Sequence, residues 1–345
     1  IIISSDGITW TFSTSGTSGI LWGINYGNST FVTVGDSGTI LTSSDGTSWD
    51  ERTSDVSSTL YGVTYGNSTF VTVGDNGTIL TSSDGTSWDN RTSGTTNNLY
   101  GVTYGNSTFV TVGDNGTILR STDNGSSFNT VTPYYTEASR GVTFGNNTFV
   151  GVSNAGRTGR STDNGTSFST VNSNQSYHLN GVTFGNNTFV AVGQSGKILR
   201  STDNGSSWDN STSPITENLY GATFGNNNFV AVGSGGKIVR STDNGTSFDN
   251  ASNTSSLLYG VTFGNNTFVG VGQNGEIVRS TDNGSTWNDA ISPITTTLFG
   301  VTFGNDTFVA VGASGKIVRS TDDGSSWDNS TSTITTDLKG VTFSE

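Results

Sequence analysis

The sequence has no cysteine and no methionine, one histidine, and few charged residues, which make up 12% of its 345 positions. Each shortage excludes something. Without cysteine there is no disulfide and no thiolate chemistry. A single histidine, His178, leaves no credible Ser/His/Asp triad, and no His/Cys spacing suits a structural metal. The acidic turns lack the ligand run and terminal glutamate of a calcium loop. No cofactor and no metal are therefore expected. Lys and Arg number 14 against 27 Asp and Glu, a net charge of −13. Nucleic acid needs clustered cations to neutralise phosphates, so it is not an expected partner, and an anionic membrane surface is disfavoured for the same reason. No apolar run approaches the roughly 20 residues of a spanning helix, so membrane insertion is not expected. An opening at Ile1 fits a mature product or a fragment.

What fills the chain instead is Ser, Thr, Asn and Gly, set in a repeat. The stretch Ser201–Trp208, S-T-D-N-G-S-S-W, recurs nine times. Its aspartates are Asp6, Asp45, Asp84, Asp123, Asp163, Asp203, Asp243, Asp282 and Asp322, and a Trp or Phe closes each copy. A glycine returns every 39 or 40 residues, at Gly23, Gly62, Gly101, Gly141, Gly181, Gly221, Gly260, Gly300 and Gly340. Eight complete units thus start at residues 23, 62, 101, 141, 181, 221, 260 and 300, with a partial blade of 1–22 and 340–345 at the ends. Such a period overrides the length prior and predicts a single domain over 1–345.

Each unit reads as four short strands. Around Gly181 these are Leu179–Phe184, Thr188–Val192, Lys197–Ser201 and a fourth beginning near Ser206. β-Branched and aromatic residues fill the runs, and Gly/Asn/Asp clusters divide them. The second strand is apolar on both faces, as only a sheet covered on both sides requires. No helical period is sustained, so helix should be almost absent. In the box, a short carboxylate can accept the N–H groups that its turn leaves unpaired, and the aromatic is expected to pack between blades. The boxes at Asp6, Asp45 and Asp84 are one residue shorter than the others and should turn differently. Nine equivalent carboxylates spread through the repeats cannot converge on one substrate, which makes them architectural.

The box resembles the Asp-box, or BNR repeat, of sialidase-type and related β-propellers. The longer pattern, L-x-G-V-T-F…F-V-A-V-G-x-x-G-K-I-L-R-S-T-D-N-G-S-S-W, is similar to the repeat of photosystem-assembly (Ycf48-like) propellers. The resemblance covers essentially the whole chain. It implies an all-β fold: a β-propeller of four-stranded antiparallel blades, with eight complete repeats plus a ninth composite blade from the two termini. It is specific for fold and not for function. A sialidase needs three arginines converging on a carboxylate, whereas Arg120, Arg160, Arg200, Arg240, Arg279 and Arg319 hold one repeated position and are set to pair with neighbouring aspartates.

One unit departs from the rest. In Gly141–Asn180 the usual G-K-I-L-R becomes G-R-T-G-R, Gly159 should weaken its strand, and the flanking loops are unusual. Tyr134, Tyr135, Arg157, Tyr177 and His178 form a candidate binding patch, the alternative being drift in a duplicated array. About twenty N-x-S/T triplets occur, including those at Asn28, Asn67, Asn106, Asn146, Asn186 and Asn210, and these are glycosylation candidates in a chain dressed for the cell exterior.

The terminal pieces together lack the T-F-V-A-V-G strand of a full blade. Three outcomes follow: a ninth blade short of one strand, eight blades with free ends, or a gap filled by another molecule. The third would give self-association through the incomplete terminal blade, growing into a filament. The expected function is an extracellular or cell-surface, non-enzymatic structural or adhesive module, with a glycan or cell-surface ligand as partner. The alternative is a glycan-binding or glycan-hydrolysing propeller of sialidase type, and a third reading is an assembly chaperone like the Ycf48-type proteins.

Overall fold

The computed structural model of the chain describes residues 2–3, 11–12, 19–44, 49–132, 136–172, 177–254, 256–304, 306–330 and 337–341. Within them lie eight four-stranded antiparallel sheets, each with its strands in sequence order, and a two-stranded sheet of Ile2–Ile3 with Thr11–Phe12. The first strands are Leu21–Gly27, Leu60–Gly66, Leu99–Gly105, Ser139–Gly145, Leu179–Gly185, Leu219–Gly225, Leu258–Gly264 and Leu298–Gly304. We number the blades 1 to 8 in that order. The helical segments among the described residues are single 3-10 turns, one per blade, between the second and third strands.

The chain packs as two compact units. Blades 1–4 fall in one, made of Thr14–His178 with Asp203–Ser207. Blades 5–8 fall in the other, made of Ile1–Ser13, Leu179–Thr202 and Trp208–Glu345. The same local logic runs through both. Asn106 and Ser107 join the first two strands of blade 3 with φ of 46° and 57°, the paired left-handed residues of a tight hairpin. The second strand, Thr108–Gly113, is buried along its whole length. Its two faces are used by different neighbours. Phe109 joins Leu99, Leu119 and Phe128 against Val71, Val73 and Ile79 of blade 2, while Val110 and Val112 pack with Phe149 and Phe168 of blade 4. In the other unit, Val230, Val232 and Ile238 of blade 6 meet Leu258, Phe268 and Val278 of blade 7. Each of these cores is thus shared by two successive blades, and each fully buried side chain contributes roughly 1.5–3 kcal/mol. A lone blade would leave half of this surface wet.

One glycine marks how closely the blades approach. A Cβ on Gly66 would lie 2.1 Å from the ring of Tyr104 in the next blade, so that ring rests directly on the backbone.

The fourth strand differs from expectation. In blade 5 it is only Asp209–Asn210, because Ser207 is held in the box by Asp203 instead of pairing. Blade 4 also differs. Gly159 does not interrupt its strand: Arg157–Ser161 pairs on both sides, with Gly159 opposite Gly151 and Thr170. The change lies in the packing. Ser139 and Thr158, both fully buried, stand where blade 3 has Leu99 and Ile118.

At the C-terminal side, the Leu338 N–H donates to the Gly312 carbonyl at 3.0 Å, and Leu338 and Val341 cover Val309, Val311 and Ile317 of blade 8. The segment 337–341 therefore sits on blade 8 as a first strand would. Much of the composite ninth blade, at 1, 4–10, 13–18, 331–336 and 342–345, lies outside the described residues.

Candidate functional site

The boxes consume their own polar groups. In blade 3, the Ser121 hydroxyl donates to Asp123 Oδ1 at 2.8 Å and accepts the Gly125 N–H at 2.8 Å. The Ser127 N–H and hydroxyl donate to the two oxygens of Asp123 at 3.0 and 2.5 Å. Burial opposes ionisation of Asp123, but the bonds from Ser127 and Ser121 outweigh it and hold its pKa at about 2. The same balance holds Asp282 and Asp322 at about 2 and lowers Asp163 and Asp243. The shorter box at Asp84 does turn differently. Its carboxylate takes N–H groups from both Thr86 and Ser87, and the backbone bond made by Ser126 N–H to Asp123 has no counterpart there. A bond from the Thr86 hydroxyl leads, ahead of the Ser87 N–H, in depressing the Asp84 carboxyl well below the usual range. Asp6 and Asp45 lie outside the described residues. The box aromatics pack between blades, as Trp88 does against blade 1 and Trp327 against blade 7.

Arg120, Arg160, Arg200, Arg240 and Arg279 bond backbone carbonyls and not the neighbouring aspartates that the sequence suggested. Arg120 Nε–H donates to the backbone carbonyl of Asn164, Arg200 to that of Asn244 and Arg279 to that of Asp323, at 2.6, 2.7 and 2.8 Å. Each is a staple from one blade to the box turn of the next. The carbonyl is better placed than a carboxylate because the left-handed turn residue points it at the third strand of the preceding blade.

The asymmetric patch is only partly described, since Tyr134 and Tyr135 lie outside the described residues. Arg157 pairs with Glu137 at 3.0 Å, as Lys237 does with Glu217 at 3.7 Å in blade 6. His178 Nδ1 accepts the Ala155 N–H, the place taken by Asn98 on Asn76 and by Asn218 on Ser195. Both residues occupy positions that other blades fill with similar bonds. Tyr177 is 37% exposed. The triplet asparagines Asn28, Asn67, Asn106, Asn146, Asn186 and Asn210 are all exposed. Asn146 donates its amide to Asn204, and Asn186 to Asn244, so these two also tie hairpins to box turns.

A different set of residues comes together on the first strands. A register shift between Leu60 and Gly62 leaves Tyr61 as a bulged residue, and the same shift isolates Trp22 and Tyr100. A bulge re-aims its side chain. The three rings form a row: Trp22 to Tyr61 is 5.9 Å between centroids and Tyr61 to Tyr100 is 5.6 Å. Each bonds a carboxylate fourteen residues on. Trp22 Nε1–H donates to Asp36 at 2.7 Å, Tyr61 hydroxyl to Asp75 at 2.8 Å and Tyr100 hydroxyl to Asp114 at 2.9 Å. Trp22 is 36% exposed and the tyrosines are half-buried. Burial, the Asp75 bond and the surrounding negative charge push the Tyr61 phenol up to about 12, so it stays a neutral donor. The other unit carries a second row, Tyr220, Tyr259 and Phe299, at 6.2 and 5.6 Å. There the Ser234 hydroxyl meets the Tyr220 hydroxyl at 3.1 Å, and Lys339 Nζ lies 3.3 Å from the Phe299 ring centroid. The sequence held a signal for the rows, an aromatic before the repeat glycine with Asp fourteen positions later in blades 1–3. Only the bulge shows that these side chains leave the sheet together. Among the described residues no three His, Asp or Glu side chains gather as a metal site.

The architecture is that of a β-propeller, and solved structures agree. A computationally designed protein, Ika8, matches with a TM-score of 0.70 at 13% identity, over 85% of this chain and 93% of that one. YCF48 bound to a D1 peptide matches at 0.56 and 19% identity, over 76% and 92%. YCF48 from Cyanidioschyzon merolae matches at 0.53 and 17%, over 76% and 95%. At such identities the likeness is one of fold: all-β, with eight four-stranded antiparallel blades. No protein-family model and no curated protein matches the sequence.

Proposed function

We propose that this chain is a non-enzymatic, extracellular or cell-surface propeller that works as an adhesive docking module. The observation that carries the reading is the use of the repeated polar groups. Described box carboxylates are engaged within their turns and the arginines staple blades, while the aromatic rows keep exposed ring surface for a partner. Resemblance to Asp-box propellers supports an architectural role for the boxes, and the exposed N-x-S/T asparagines support an exterior location. One similar solved structure is of YCF48 bound to a D1 peptide, and we extend the idea of a peptide partner to this chain. The test is a pair of assays on the purified protein. Fluorogenic glycosides should not be turned over, and protein-coated beads should adhere saturably to cells or to one another. Glycoside turnover would install the sialidase-type alternative in its place.

Self-association is a second reading, supported by the segment 337–341. It lies against blade 8 where the first strand of a following unit would, and among the described residues no strand is paired to its far edge. An edge of this kind is a template for a strand of another molecule. Sedimentation should show association growing with concentration, and a strictly monomeric protein at high concentration would remove the filament.

A further inference from the structure

We propose that the row Trp22, Tyr61, Tyr100, with Asp36, Asp75 and Asp114 behind it, binds an extended basic peptide segment whose Lys or Arg side chains seat over successive rings. The inference rests on the docking reading above and names the partner of that surface. Three observations converge on it.

The first is the chemistry of the row. An aromatic face attracts a cation through its quadrupole, most strongly for Trp, then Tyr. Here each ring edge also donates a hydrogen bond to a carboxylate, which draws the ring's N–H or O–H away from a guest and places a negative charge within the same shell. Neutral rings backed by three carboxylates repel anions and favour cations, in a protein whose net charge is already −13.

The second is a cation–ring contact that the fold itself makes at this repeat position. In the other unit, the aromatic of blade 8, Phe299, is covered by Lys339 at 3.3 Å, and Asp337 holds the ammonium at 3.0 Å. Lys339 arrives on an extended segment of chain and stands at the very position, before a repeat glycine, that Tyr61 and Tyr100 hold in their blades. The row thus accepts an ammonium against one of its rings with a carboxylate beside it, here from a lysine that takes the place of the next ring.

The third is spacing. The rings stand 5.9 and 5.6 Å apart. Alternate side chains on one face of an extended strand repeat at roughly 6.6 Å, and a flexible four-carbon stem absorbs the difference. A segment with cations at every second residue thus meets one ring per cation. A sugar ring would also stack here and donate its hydroxyls to the carboxylates, but only a cation gains in addition from their net charge.

The probe is a fluorescein-labelled peptide of alternating Lys and Ser, titrated by fluorescence anisotropy into the full chain at low and at physiological salt. Saturable binding is expected. Tyr61→Leu should weaken it about tenfold, while Tyr61→Phe, which keeps the ring, should stay within about threefold. Asp75→Asn should weaken binding and flatten its salt dependence. Asp209→Asn and Asp249→Asn together remove two exposed charges elsewhere and should change little. Circular dichroism melts report whether each variant is folded. Equal loss in the distant pair and in Asp75→Asn would reduce the effect to net charge and overturn the proposal, as would binding indifferent to Tyr61→Leu. Adhesion of beads that persists when the peptide does not bind would sink the basic partner and leave the docking reading standing.

Discussion

At the scale of the residue, this protein spends charge on geometry. A carboxylate in each described box gathers hydroxyl and N–H donors from its own turn, and the expected consequence is a particular acid sensitivity. The folded pKa of Asp123, Asp282 and Asp322 is about 2, below the ordinary 3.8. A group whose folded pKa is depressed stabilises fully above its unfolded value and loses that contribution as pH falls through the folded one. Urea midpoints should therefore be flat above about pH 4 and fall steeply toward pH 2. Asp123→Asn should lower the neutral-pH midpoint and make the acid slope shallower. The arginine staples make a separate prediction. Removing the Arg200 guanidinium leaves the Asn244 carbonyl without its charged donor, so Arg200→Ala should cost about 1.5–3 kcal/mol in chemical denaturation. Arg200→Lys should recover only part, because an ammonium lacks the planar fork.

At the scale of the element, the blade was legible because its signals are local. Alternation, Asn-rich turns and the doubly apolar second strand fix four strands, and the pairing agrees at Thr188–Gly193 and its neighbours. What was not legible lay between blades. Nothing around Gly66 in the chain announces that Tyr104 rests upon it, since the contact exists only once two sheets stack. Gly66→Ala should therefore cost about 1–3 kcal/mol, read as a lowered urea midpoint, although alanine suits a strand at least as well as glycine. Arg120 was legible as a repeated cation but not as a staple, because its acceptor is a backbone carbonyl 44 residues away. The aromatic rows were hidden for a related reason. Period-two reading assigns Tyr61 a face of the sheet, and the bulge at that residue changes the assignment.

At the scale of the whole molecule, repetition makes stability a sum of blades and shared cores, each depending on the next. The segment 337–341 stands in this sum as a cover for Val309, Val311 and Ile317. Deleting residues 337–345 should uncover that apolar face and lower the thermal midpoint. Retention of the wild-type midpoint would show that the cover contributes nothing.

The sequence by itself determined the blade: its period, four strands, box turn and the double-faced burial of its second strand. These follow from residue spacing and from torsional preferences that act over a few bonds. Tertiary structure alone decided which polar groups are left for partners. Stapling arginines, the ring on Gly66, and the alignment of Trp22, Tyr61 and Tyr100 all depend on stacking residues about one repeat apart. A contact between stacked sheets leaves its trace in two distant stretches of chain, and neither stretch alone specifies the distance or direction at which they meet.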